Sequence, residues 1–209
     1  LGLMEAPAAF DALMDLSNSK DWKHRSGAIN SLARLKGLSD ADDRKIEQRV
    51  ADVLRDPSEV VYVRKDAAYA AGNRKYYDLI PDLVACFSNA HYSVRYSAAE
   101  ALRQMAREAP TAASDVPGRI ASELKRGMPG LDPLGLVPAI YAAGELPADM
   151  KMDIAEAALG HKLSGETEVS VAIARLLKPI NPEREADRKR IKSLIARLPQ
   201  TWEVKSSFQ

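Results

Sequence analysis

The sequence predicts an all-α chain of helical hairpins laid side by side. Three observations carry that expectation. Apolar residues recur at helical spacing along nearly all of the 209 residues. Alanine is abundant, while valine and isoleucine never gather in alternating runs, a balance that suits closely packed helices rather than strands. A short arginine-centred segment also returns several times, the signature of a repeat architecture.

Taken in order, Phe10, Leu13 and Met14 predict a helix over 5–17, and Ile29, Leu32 and Leu35 a second over 20–36. Ser39 followed by Asp40 and Asp42 reads as a cap opening a third helix, which carries Ile46, Val50, Val53 and Leu54. Its partner runs from Ser58 to Gly72, with Gly72-Asn73 as the C-terminal stop. Leu79, Ile80, Leu83, Val84 and Phe87 give a helix over 76–88, in which Pro81 is a first-turn residue or a kink. Helices follow at 91–107 and, capped by Ser114-Asp115 with Pro117 in the first turn, beyond 115. The Gly- and Pro-punctuated stretch 127–133 is a loop. Helical spacing resumes at 134–145, 149–163 and 166–178. A final helix opens at Asn181-Pro182-Glu183 and runs to Leu198, where Pro199 stops it. Residues 1–198 are thus one repeat region, and 199–209 an irregular tail.

Composition narrows function. At 46% hydrophobic and 28% charged, the chain can bury a core and is too apolar for disorder. Its net charge of +1, from 30 basic and 29 acidic residues, lacks the basic excess of a dedicated nucleic-acid binder. Cys86 is the lone cysteine, so no internal disulfide points to an oxidising compartment. No run approaches about 18 apolar residues, the length of a membrane span. The expected setting is the cytoplasm. No signal peptide is visible, and Leu1 in place of Met leaves room for an upstream segment.

The repeat centres on Arg25, Arg64 and Arg95. Val63 and Val94 precede the second and third. Small residues stand three and six places after each arginine: Ala28 and Ser31, Ala67 and Ala70, Ala98 and Ala101, with Gly72 and Leu102 close behind. Ala139, Ala142, Ala143 and Gly144 repeat the small-residue pattern with Leu136 in the arginine's place. Val169, Ile173, Leu176 and Leu177 keep only its apolar spacing. Small residues at these offsets let neighbouring helices approach, the valine packs inward, and the arginine lays its stem over apolar surface while offering donors to the turn of the next repeat. At the helix end a glycine is conformationally permissive, which accounts for Gly72 and Gly144.

The segment resembles the second helix of a HEAT repeat, whose core reads Val-Arg-x-x-Ala-x-x-Ala-Leu, and the resemblance covers residues 5–198. In that family an Asp stands six residues before the arginine. Asn89 matches that place for Arg95, Ser19 and Ser58 occupy it for Arg25 and Arg64, and Asp56 lies two residues earlier. The resemblance implies a right-handed superhelical α-solenoid of about five hairpins plus a terminal helix, acting as a non-catalytic scaffold that binds a protein partner on its concave wall. Related HEAT-like proteins supply two alternatives: a DNA-glycosylase-like nucleic-acid binder, and an accessory subunit such as that of a bilin lyase.

Aromatic residues cluster on the repeat. Trp22 and Tyr92 stand three before their arginines, Tyr62 two before, and Tyr69 and Tyr96 on the same helices. With Arg25, Arg64 and Arg95 they form the expected partner-binding surface, since aromatics contribute large contact area at little entropic cost. No phosphate loop, dinucleotide fingerprint or zinc-protease motif is present. His24, His91 and His161 are isolated, and Cys86 sits among packing residues. Asp11, Asp15, Asp42 and Asp43 lie on polar faces or caps. No catalytic residue, metal or cofactor is therefore expected. The basic residues of the last helix, Arg188-Lys189-Arg190 among them, read as a solvated face.

Overall fold

A computed structural model describes residues 6–109 and 115–208 of the chain. Among them every regular element is helical, and the chain divides into two compact units, Leu1–Met105 and Ala106–Gln209. The N-terminal unit holds α1 (Ala6–Ser17), α2 (Trp22–Leu32), α3 (Asp40–Arg55), α4 (Val61–Arg74), α5 (Ile80–Ala85) and α6 (Tyr92–Arg107), the last crossing the division. α1 packs on α2 and α3 on α4 as hairpins, and α2 also lies against α4.

Local chemistry sets the boundaries. The Asp21 carboxylate accepts the Lys23 N–H at 2.9 Å and opens α2. Ser39 Oγ accepts the Asp42 N–H at 3.1 Å and donates to its carboxylate at 2.8 Å, closing the start of α3 as its sequence predicts. Ile46, Val50, Val53 and Leu54 are buried, as are Val63, Ala67, Ala70, Val94, Ala98, Ala101 and Leu102 of the repeat. The expected single helix over 76–88 is broken instead into α5 between two 3-10 turns, Tyr77–Leu79 and Cys86–Ser88. Pro81 stands in the first turn of α5, and its missing N–H and ring exclude a helix that began earlier.

The end of α4 differs from expectation. The helix passes through Gly72-Asn73 and stops at Lys75, a left-handed residue at φ 59°. A Cβ added at Gly72 would lie 2.7 Å from the Ala101 Cα. Close approach of α4 and α6, not permissiveness at a helix end, is what requires glycine here. The continued turn has its own use. Asn73 donates to the Ala33 carbonyl at 2.6 Å and Arg74 to that of Leu35 at 2.8 Å, satisfying carbonyls left over where α2 ends.

The C-terminal unit holds α7 (Val116–Gly127), α8 (Pro133–Ala142), α9 (Ala148–Leu159), α10 (Thr167–Leu177), α11 (Glu185–Ala196) and α12 (Trp202–Ser206). α7 packs on α9, α8 on α10, α9 on α10 and α11, and α10 on α12. The expected Ser114 cap falls outside the described residues. Pro117 does stand in the first turn of α7. The middle of the expected loop at 127–133 is a 3-10 turn, Met128–Gly130, and Asp132 then caps α8 by accepting the Gly135 N–H at 2.8 Å. α11 starts later than Asn181-Pro182 suggested, because Arg184 is its cap residue and its guanidinium reaches forward to Asp187 at 2.7 Å. The tail expected to be irregular contains α12. The Thr201 hydroxyl accepts the Val204 N–H at 3.4 Å, and Val204 is buried. No helix of the described residues is long and apolar enough to cross a membrane.

Candidate binding face

Four of the large apolar side chains that remain exposed stand on two helices of the N-terminal unit: Tyr62 and Tyr69 on α4, Tyr92 and Tyr96 on α6. Their spacings of seven and four put each pair on one helix face. Trp22, at the start of α2, is half-buried and stacks on Tyr62 with centroids 5.1 Å apart and planes inclined by 21°. One turn further along both helices, Ser26 donates to the buried Asp66 carboxylate, so α2 and α4 are tied by an aromatic contact and then by a polar one. Lys65 adds a cation 3.4 Å from the same carboxylate. Tyr69 carries the Arg34 guanidinium 5.8 Å from its ring centroid, and His91 stacks on Tyr92 at 4.9 Å.

The three repeat arginines lie at the turns, apart from this face, and do not act alike. Arg25 Nη1 donates back to the Ser19 and Lys20 carbonyls at 2.8 and 3.0 Å. Its Nε and Nη2 take both oxygens of Glu59, in the next hairpin's turn, at 2.9 and 2.6 Å. Burial pushes the Glu59 carboxyl up, but the hydrogen bonds from Arg25 and the Val60 N–H outweigh it and hold the group below its ordinary value. Arg95 Nη1 donates to the Asn89 and Ala90 carbonyls at 2.6 and 2.9 Å, and the residue is 6% exposed. Asn89 therefore serves its arginine through the backbone carbonyl, while its side chain accepts the His91 N–H at 2.9 Å. Arg64 is buried and, among the described residues, donates no hydrogen bond from Nε or Nη2.

Arg25 and Arg95 are thus structural clamps, not groups presented to a partner. The sequence reading placed them on the partner surface and expected donors offered to the next turn; Arg25 does reach Glu59 there, but the carbonyls five and six residues back, which hold both arginines, were not foreseen. It also missed Glu59 and Asp66, whose polar character in a turn and on a helix gave no sign of burial. In the weak copies Leu136 is buried in the arginine's place. Ser170, beside Val169, donates from Oγ to the Ser164 carbonyl at 2.8 Å, six residues back.

The remaining candidates have local roles. His24 Nδ1 lies 3.3 Å from Ser19 Oγ, and His91 Nδ1 accepts the Ser93 N–H at 3.2 Å; both residues are exposed. His161 is buried and accepts the Leu163 N–H. Burial pushes the Cys86 thiol up to about 12. Among the described residues no three His, Cys, Asp or Glu side chains gather as metal ligands would. On α11, Arg190 is held by Asp153 at 2.8 Å and Glu156 at 2.7 Å, both on α9. The C-terminal unit has its own open cleft of about 1130 Å³, with Val137, Val171 and Ala172 in its wall and Arg175 and Glu203 among its charged residues.

No family model matches the chain, and no curated protein matches it either. Solved structures do. One engineered protein from the Northeast Structural Genomics Consortium aligns with a TM-score of 0.57 at 16% identity, over 96% of this chain and 95% of its own. A second engineered protein from the same consortium aligns with a TM-score of 0.54 at 20% identity, over 96% of this chain and 94% of its own. At such identities the likeness is one of fold alone.

Proposed function

We propose that the N-terminal unit is a stack of HEAT-type hairpins, and that the chain is a non-catalytic scaffold holding a segment of a protein partner against the face of α2, α4 and α6. The observation that carries this reading is the placement of Tyr62, Tyr69, Tyr92 and Tyr96, exposed on two helices of a unit whose other large apolar residues are mostly buried. Leaving tyrosine rings in water forgoes burial, whereas a partner laid across them gains contact area with little side-chain ordering. The Trp22–Tyr62 stack and the Ser26–Asp66 bond fix the helices beneath, so the surface is organised before a partner arrives.

The nucleic-acid alternative gains nothing from the geometry, since Arg25, Arg95 and Arg190 already have acceptors within the chain. No feature favours a bilin. A cytoplasmic setting belongs to the same proposal, a lone buried thiol such as Cys86 being ordinary there.

The test is affinity capture with the chain and with a Trp22→Ala/Tyr92→Ala variant of matched stability, read by quantitative mass spectrometry. A partner captured by the first and lost at least about tenfold by the second supports the face. A partner retained equally by both dismisses it.

A further inference from the structure

A cleft of about 390 Å³ opens at the turn side of the N-terminal unit, between the end of α3 and the 3-10 turn after α5, with Arg64, Asp82, Cys86, Ser88 and Asn89 among its lining. It shares α4 with the aromatic face, through Arg64, but none of the aromatic residues lines it. Arg64 is 8% exposed, and its Nε and Nη2 are enclosed without an acceptor. Those two nitrogens have given up water without a replacement, which is unfavourable for a charged group.

The fold itself shows what this position takes when satisfied. Arg25, one repeat earlier, is met by both oxygens of Glu59, which stands five residues before the next repeat arginine. Counting five back from Arg95 reaches Ala90, a side chain with no oxygen to offer. The carboxylate in the cleft wall does not substitute. Asp82 is bound through both oxygens by Arg55, at 2.8 and 2.9 Å. Ser88 and Asn89 also line the cleft, but neither is within hydrogen-bonding reach of the two enclosed nitrogens, and the Asn89 side-chain oxygen is turned to the His91 N–H.

We propose that this cleft binds a carboxylate supplied from outside the chain, with Arg64 as its ligand and the Arg25–Glu59 pair as its internal template. A carboxylate is favoured over phosphate because its planar pair of oxygens matches the guanidinium edge.

The experiment follows the side-chain Nε–H resonance of Arg64 in ¹⁵N-labelled protein, assigned by its absence in Arg64→Lys. The probes are glutarate, a short C-terminally amidated peptide with one Glu, its Gln counterpart, and inorganic phosphate, at constant ionic strength. A saturable shift with glutarate or the Glu peptide, absent with the Gln peptide, is expected. Affinity for the Glu peptide about tenfold or more above that for glutarate assigns the carboxylate to a partner segment, and equal affinity assigns it to a free small acid; both support the site. In Ala90→Glu the resonance should already sit near its bound position, with affinity for either probe reduced about tenfold or more. Should that variant not fold, Arg64→Lys serves in its place, with protection of the Asn89 amide as the readout and loss of the glutarate response expected. No response of the wild-type chain to either carboxylate, an undiminished response in the variant that is read, or a response to phosphate alone overturns the proposal.

Discussion

Gly72 on α4 lies so close to Ala101 on α6 that a Cβ built at the glycine would meet the Ala101 Cα at 2.7 Å and its Cβ at 2.8 Å. Both residues are buried in helices, so neither can move aside without shifting its backbone. Helix propensity favours alanine over glycine by about 1 kcal/mol. Overpacking against a backbone opposes it by about 2–3 kcal/mol. Gly72→Ala should therefore lower stability by about 1–2 kcal/mol on balance, seen as a lower urea midpoint. Combining it with Ala101→Gly removes one of the two contacts, so rescue should be partial, a favourable coupling of about 0.5–1 kcal/mol. Equal or higher stability in the single variant would show that α4 and α6 are not held this closely.

The Arg25–Glu59 pair ties stability to pH. The folded Glu59 carboxyl is held below its ordinary value, so its contribution is complete above the unfolded value of about 4.3 and is lost as pH falls through the folded one. The carboxylate side chain is 7% exposed, and it takes two hydrogen bonds from a guanidinium. Glu59→Gln should cost about 1–3 kcal/mol at neutral pH, and the difference from wild type should shrink as pH drops below about 4. Urea titrations of both proteins at pH 7 and pH 3 test this; a difference of the same size at both would assign the loss to something other than the ionised pair.

How far the sequence could be read is clear from these residues. Ile46, Val50, Val53 and Leu54 announced α3 because helical spacing is a local property, and Ser39 announced its start because a cap is made within one turn. The common register of Arg25, Arg64 and Arg95 is likewise visible in the sequence, and each stands near the start of its helix. That an arginine would reach the next turn was expected, but which group meets it there was not legible. Glu59 reaches Arg25 only after two hairpins have stacked, and nothing near either residue in the chain records that meeting. Gly72 looked like a helix end for the same reason, since its partner Ala101 is distant in sequence. The aromatic face was half legible: the positions of Trp22, Tyr92 and Tyr96 gave the helices, whereas the Trp22–Tyr62 stack depends on how α2 and α4 lie together.

Ser170 does with a hydroxyl part of what Arg25 and Arg95 do with a guanidinium. Its Oγ donates to the carbonyl six residues earlier, and the residue is 0% exposed. Ser170→Ala should leave the Ser164 carbonyl without that donor and lower stability by about 1 kcal/mol. Faster amide exchange should appear around 161–166, where the turn is released, before any change in α8. Unaltered exchange in that turn would remove the clamp role from Ser170.

Cys86 is 5% exposed on the 3-10 turn that follows α5, and its thiol is pushed up to about 12 chiefly by burial. Thiolate is the reactive form, so at pH 8 the folded chain holds a very small fraction of nucleophile, and a disulfide reagent must also reach a covered sulfur. Labelling should be at least about a hundredfold slower than for a free thiol. It should accelerate through the urea transition in parallel with loss of helical circular dichroism, since only opening of the α5 region exposes the group. Arg64 lies near enough to favour the thiolate weakly, but this does not offset burial. Removing that charge in Arg64→Gln should therefore slow the native-state reaction rather than speed it, provided the fold is kept. Fast stoichiometric labelling of the folded wild-type chain would mean that the cleft beside α5 opens on its own, and that Cys86 is not the enclosed packing residue described above.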